Sequence, residues 1–129
     1  MENWQAVQEV AESWSAEEVL QWSFRKFGIR IEMASGFGVE GMALIDMATR
    51  VRPALRVFTI DTGFLFPETY QLIEKVERRY GIKVERVRSR LTPSAQAEVY
   101  GDALWASNPD QCCDLRKVEP LKEKLADRD

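Results

Sequence analysis

The sequence predicts an α/β domain built on a parallel sheet with helices on both faces, and three features predict it. Hydrophobic spacing along the middle of the chain switches between a helical period and strict alternation. The alternating or continuously apolar stretches are short, as strands are, and the amphipathic stretches between them are long enough to serve as crossover helices. Glycine-bearing turns follow the first two strand stretches, where open parallel sheets present their ligand-binding edge.

Residues 1–28 predict a helical hairpin. Val7, Val10, Ala11 and Trp14 share one helical face, and Ser15 with Glu18 forms a capping-box pattern that opens a second helix. Its stripe is Val19, Leu20, Ser23, Phe24 and Phe27, and Gly28 closes it. Residues 29–90 predict a βαβαβ core. Ile29, Ile31 and Met33 alternate with Arg30 and Glu32 as a first strand, which runs into the loop from Ala34 to Gly41. A helix is expected from Met42 to about Thr49, broken by Arg52-Pro53. Leu55 to Ile60 then reads as a strand buried on both faces, ended by Asp61-Thr62-Gly63. Pro67 opens the next helix, with Tyr70, Ile73, Val76 and Tyr80 on one side and Gly81 at its end, and Ile82 to Val87 is a third strand.

Residues 91–129 predict a helical segment carrying both cysteines. Thr92-Pro93-Ser94 caps a short helix to about Tyr100, Gly101 breaks it, and Asn108-Pro109 turns the chain. Leu115, Val118, Leu121 and Leu125 space a last helix from about Cys113, in which Pro120 predicts a kink or restart. Three strands are few for such a sheet, so the expectation is one domain over 1–129 whose sheet is truncated. An early end to the sheet exposes an edge that favours self-association into a homo-oligomer.

Composition narrows the function. The 129 residues are 45% apolar and carry a net charge of −3 from 18 basic and 21 acidic side chains. The two signs are mixed along the chain, so no basic stretch exists to neutralise a nucleic-acid backbone, and nucleic acid is not an expected partner. No apolar run approaches the length of a membrane span, and the acidic, amphipathic start differs from a secretory signal, which predicts a cytoplasmic protein. The sequence has no histidine. That removes Ser-His-Asp and Cys-His nucleophile activation and the common histidine-ligated zinc sites.

Three constellations remain. Ser35, Gly36, Gly38 and Gly41 would let backbone N–H groups approach a phosphate or sulfate at a helix N-terminus, although a tight turn alone also accounts for the glycines. The loop lacks Gly-Lys-Ser/Thr, which argues against a Walker-type nucleotidase. Asp61-Thr62-Gly63 stands at a strand's carboxyl end. An aspartic protease shares these letters but needs an all-β chain, whereas here a helix signal follows at Pro67. Direct ligand contact by Asp61 and simple capping of the turn, with Gly63 at positive φ, are both open.

Cys112 and Cys113 are adjacent and cannot make a disulfide framework. They follow a polar turn and open a helix bearing Arg116 and Lys117, an electropositive setting that favours thiolates over buried apolar thiols. One iron–sulfur cluster or structural zinc takes four ligands, and this chain offers two cysteines. Arg86, Arg88 and Arg90 alternate on one side of the third strand and read as a solvated edge rather than a ligand clamp. Trp105 and the other tryptophans read as core or interface filling.

Together, Ser35 to Asp46, Val57 to Gly63 and the block Cys112-Cys113-Asp114-Leu115-Arg116-Lys117-Val118-Glu119-Pro120-Leu121 resemble the adenylyl-sulfate and phosphoadenylyl-sulfate reductases of sulfate assimilation. The resemblance runs from about Trp14 to the end, and the double cysteine is its most specific part. It implies an ATP-pyrophosphatase-like fold of the adenine nucleotide alpha-hydrolase type. It also implies a modified phosphate-binding loop in which Ser35, Gly36, Phe37, Gly38, Val39 and Glu40 contact substrate, and an Asp61-Thr62-Gly63 turn lining the nucleotide pocket. Gly36 and Phe37 stand where the family often has serines, so backbone amides would replace hydroxyl donors.

The double cysteine marks the branch with a four-iron four-sulfur (4Fe-4S) cluster, usually acting on adenylyl sulfate rather than phosphoadenylyl sulfate. Cys112 and Cys113 would supply two of its four ligands. Lys117 matches the family lysine between cluster and substrate, an electrostatic role in catalysis. In the family a cysteine thiolate attacks the sulfate sulfur, AMP departs, and thioredoxin releases sulfite from the enzyme-bound S-sulfonate. The nucleophilic cysteine, a second Cys-x-x-Cys pair and an arginine-rich substrate loop do not occur in these 129 residues, so this chain alone is expected not to turn over. Two other readings remain: a non-catalytic adenine-nucleotide-binding module, and an ATP-pyrophosphatase-type enzyme requiring ATP and magnesium.

Overall fold

The structure is a computed structural model that describes residues 3–128. Met1 and Glu2 of the expected hairpin and Asp129 of the last segment lie outside the described residues. Helices α1 (Trp4–Ala11) and α2 (Ala16–Phe27) form the hairpin. The Asn3 side chain accepts from Ala6 N–H and the Ser15 hydroxyl from Glu18 N–H, each at 3.2 Å, which satisfies one free N–H per helix start. Aromatic contacts hold the pair together: Trp4 stacks on Phe27 with centroids 6.2 Å apart, and Trp22 meets Trp14 at 5.8 Å and Phe27 at 5.9 Å.

Three strands form one parallel sheet in the order β1 (Met33–Ala34), β2 (Val57–Asp61), β3 (Val84–Arg88), connected by α3 (Val39–Val51) and α4 (Pro67–Tyr80). The α/β architecture expected from the periodicity is the one found. The first strand is shorter than its alternation predicts. Gly28–Arg30 makes a 3₁₀ turn, β1 is two residues long, and the N–H groups of Met33 and Ser35 donate to the Arg56 and Phe58 carbonyls at 2.8 and 3.0 Å. The alternation at Ile29 and Ile31 does not mark a buried side either: Ile29 is 73% exposed, while the Glu32 side chain, expected to face outward, is 7% exposed against Lys124 and Arg128. Helix α3 starts at Val39 rather than Met42, because extended Gly38 serves as its cap.

Ile45, Ala48, Ile73 and Val76 pack with Phe24 against Val57 and Val84 on one face of the sheet. Phe58 faces the other way, where Lys124 Nζ stands 5.2 Å from its ring centre. Both faces of β2 are therefore buried, as its near-continuous apolar run predicts. The tail comprises α5 (Pro93–Tyr100), α6 (Leu104–Ser107), α7 (Pro109–Cys113), a π-helical turn (Asp114–Val118) and α8 (Glu119–Leu125). The expected kink at Pro120 is taken up by that π turn. A proline lacks the N–H for the helix ladder and its ring crowds the carbonyl four residues back, so the turn before it widens.

Lys124 ties α8 to the sheet. Its ammonium sits 3.2 Å from Glu32 and 2.7 Å from Glu85, and Arg128 reaches Glu32 at 3.3 Å. Among the described residues no helix is long and apolar enough to cross a membrane.

Candidate functional site

The turn after β2 is built by a buried carboxylate. Parallel register sets Asp61 beside Arg88, and Arg88 Nε donates to Oδ2 at 3.0 Å. Tyr70, on the first turn of α4, donates to Oδ1 at 2.6 Å, and Gly63 N–H donates to the same oxygen at 3.0 Å. Burial alone would raise the Asp61 pKa, but the bond from Tyr70 and then those from Gly63 and Arg88 outweigh it, so the carboxyl lies below its ordinary value. The bond to Asp61 in turn raises the Tyr70 phenol. At 4% exposure and with three internal donors, Asp61 organises the turn rather than reaching outward. The capping alternative left open by the sequence is the one this geometry supports.

Gly63 has φ +80, and a Cβ there would lie 2.8 Å from Pro93 Cγ and 3.2 Å from Arg116 Nη2. Arg116 is the side chain that sequence reasoning undervalued. It is 4% exposed, donates through Nε to the Thr62 carbonyl at 2.7 Å, and donates through Nη1 to the Leu91 carbonyl. Its guanidinium also stands 5.8 Å from the Phe64 ring centre. The signal was its position on the same helical face as Cys112, one turn on.

These parts enclose a cavity of about 370 Å³ at the carboxyl edge of the sheet. Thr62 and Phe64 line it from the β2 turn, Trp105 and Pro109 from the α6–α7 corner, and Cys112, Cys113, Arg116 and Lys117 from the last helical stretch. Cys112 is buried and Cys113 exposed. Trp105 is 60% exposed at this wall, so it fills no core. Among the described residues no three His, Cys, Asp or Glu side chains converge on a point that could hold a metal. Two thiols match half of a four-thiolate set and do not complete one.

The glycine loop sits one strand away. Ser35, Gly36, Phe37, Gly38, Val39 and Glu40 do not line this cavity. The Ser35 hydroxyl is buried and accepts from Phe37 N–H at 3.1 Å. Phe37 adopts φ 59, unusual for a bulky residue, with its ring in the core. Its side chain is therefore turned away from any ligand, and its N–H is already committed to Ser35 Oγ. Gly41 is required because a Cβ would come 2.6 Å from Ser35 Oγ. Val39, 85% exposed, and Glu40 face solvent on the first turn of α3. The solvated edge expected of the three arginines holds for Arg88 and Arg90, whose side chains are 61% and 89% exposed, and fails for Arg86, which is 25% exposed. Arg86 pairs with Glu77 at 3.0 Å, Arg88 with Asp61, and Arg90 approaches Glu123 at 3.6 Å.

A parallel α/β sheet with glycine-bearing turns and a cavity at its carboxyl edge defines a class of ligand-binding domain. The comparisons resolve the family. Residues 30–129 match the phosphoadenosine phosphosulfate reductase domain, and the chain belongs to that family. It is 46% identical over 113 residues to the adenosine 5'-phosphosulfate reductase of Halalkalibacterium halodurans, covering 87% of this chain and 49% of that one. It is 42% identical over 110 residues to adenosine 5'-phosphosulfate reductase 2 of Bacillus subtilis, covering 84% and 47%. The chain thus spans about half the length of the curated relatives it matches. Among solved structures it resembles phosphoadenylyl-sulfate reductase from Candida auris in a phosphate complex, with TM-score 0.79 and 28% identity over 95% of this chain and 60% of the other.

Proposed function

We propose that this chain forms the substrate-binding core of an adenylyl-sulfate reductase, which takes adenylyl sulfate to sulfite and AMP. The carrying observation is that both thiols, Lys117 and Thr62 share one cavity beside the Asp61 turn. Two electrons are needed, and a thioredoxin dithiol supplies them, becoming a disulfide and losing two protons. Lys117 holds the negative charge of the sulfate at the cavity wall. Backbone N–H groups of Gly36, Gly38, Val39 and Glu40 receive the nucleotide phosphate at the start of α3, those of Ser35 and Phe37 being held by the Phe58 carbonyl and Ser35 Oγ, and the Asp61-Thr62-Gly63 turn borders the nucleotide.

Cys112 and Cys113 supply two of the four thiolates of a 4Fe-4S cluster. The relatives' names support adenylyl sulfate as the substrate, with phosphoadenylyl sulfate, named for the solved structure, as the competing one. The cytoplasm is the compartment that keeps such thiols reduced.

A second reading, a nucleotide-binding module without turnover, is favoured by the chain having two cysteines, both committed to the cavity wall. Calorimetry with adenylyl sulfate and AMP tests the first reading: adenylyl sulfate should bind more tightly, because only it presents the sulfate to Lys117. Absence of binding by either nucleotide overturns it. Sulfite release with thioredoxin from these 129 residues would overturn the second, and ATP cleavage requiring magnesium would replace both by a pyrophosphatase-type activity.

A further inference from the structure

Gln96 lies on α5 at 3% exposure, among the most buried polar residues described. Its Nε2 donates to Cys112 Sγ at 3.7 Å, and its Oε1 has no hydrogen-bond partner among the described residues. The frame around it is fixed. Thr92 caps α5 through Ala95 N–H at 3.1 Å, and Arg116, on the helical stretch that carries Cys112, holds the Leu91 carbonyl just before that cap. Gln96 follows one turn into α5, so its amide is aimed at the sulfur from a braced position.

A buried amide with an unanswered oxygen is unfavourable, and an aliphatic side chain would fill the same space without that penalty. The amide therefore earns its place through its N–H groups. A neutral thiol gains little from such a donor, being a weak acceptor that can equally donate its own S–H. An anionic or metal-bound sulfur cannot donate, and its bond from N–H is charge-assisted and stronger.

We propose that Gln96 is a positioning residue for Cys112, whose amide N–H holds the sulfur facing the cavity as an electron-pair donor and tightens its grip on a soft metal centre. This rests on the assignment of Cys112 as a thiolate ligand. Neighbours of a metal-bound sulfur tune its orientation and charge in this way.

Cadmium ion is the probe, titrated into the reduced 129-residue chain and followed by its ultraviolet sulfur-to-metal charge-transfer band. The parent and Cys113→Ser proteins should both show the band, and Cys112→Ser should diminish it. Gln96→Leu should weaken cadmium binding about tenfold and shift the band, with a thermal midpoint no lower than the parent's, because the orphaned acceptor has gone. Gln96→Asn keeps the amide but shortens its reach, and should show the same weakening. Binding and band unchanged in both variants overturns the inference alone, as does weakening that only tracks a fall in thermal midpoint. A parent protein silent to cadmium overturns the ligand assignment of Cys112 and the inference with it.

Discussion

Gly63→Ala tests whether the turn after β2 is held by close packing. Two costs add at this site. A positive φ of +80 disfavours any L side chain by about 1–2 kcal/mol. The new methyl would also lie 2.8 Å from Pro93 Cγ, a ring carbon on a capped helix that cannot swing aside, and overpacking of this kind costs about 1–3 kcal/mol. The sum is about 2–5 kcal/mol, a large share of the 5–15 kcal/mol typical of a domain. Gly81→Ala is the control, because Gly81 has φ +64 with nothing within 4 Å of its built Cβ. It carries the backbone cost alone. Urea unfolding followed by circular dichroism should show a larger fall in midpoint for Gly63→Ala at unchanged slope. A Pro93→Ala change should recover the difference in a double-mutant cycle. Equal losses at Gly63 and Gly81 would refute the packing argument.

Asp61 contributes stability above its ordinary pKa of 3.8, lost as pH falls through the lower value it has when folded. Asp61→Asn should therefore flatten the acid limb of a stability profile at the cost of stability near neutrality; a limb as steep as the parent's would count against it. Lys124→Met should destabilise by about 1–3 kcal/mol, since Glu32, with its side chain 7% exposed, then keeps the ion pair with Arg128 and the more distant charge of Arg56 but loses its ammonium partner. Burial pushes the Glu32 carboxyl up, yet Lys124 and Arg128 hold it below its ordinary 4.5. The Lys124→Met variant should consequently lose stability less steeply than the parent as pH falls through the range where Glu32 protonates, and an equally steep acid limb would argue against the clamp. Lys117→Ala should change the unfolding free energy by less than about 0.5 kcal/mol, as surface changes do, while weakening adenylyl sulfate binding about tenfold or more in calorimetry. An unchanged affinity would remove Lys117 from the site.

The elements that could be read from sequence are those whose local signals agree with their packing. Helix α4 carries Pro67 at its start, one apolar stripe and Gly81 in the left-handed cap, and it runs as those signals predict. The first strand misled because pairing depends on β2, far away in sequence, and the segment before it turns as a 3₁₀ helix that leaves Ile29 exposed while Lys124 and Arg128 hold Glu32 inward. The site divides in the same way. Cys112, Cys113 and the Asp61 turn are local motifs and were visible. Tyr70 and Arg88 were not, because each matters only through a buried carboxylate that parallel register and a crossover helix bring to it.

Arg116 shows why such a residue escapes notice and why it shapes the chemistry. Letter by letter it is a cation on an amphipathic helix, where solvent exposure is the ordinary outcome. Folded, it is buried and bound by two carbonyls, with no carboxylate paired to it among the described residues. Carbonyls satisfy its N–H groups without cancelling its charge, and a charge withdrawn from water is felt further than one at the surface. The wall of the cavity therefore carries positive charge from Arg116 beneath and Lys117 beside the two sulfurs. Electron-rich sulfur and an anionic substrate are both stabilised by that field, so a single buried side chain braces the Thr62 turn and biases the cavity toward negative guests. The two roles separate in Arg116→Lys. It keeps the charge but, lacking the planar fork, should lose stability while retaining most of the affinity for adenylyl sulfate; an equal loss of both would mean that the bracing alone accounts for the site.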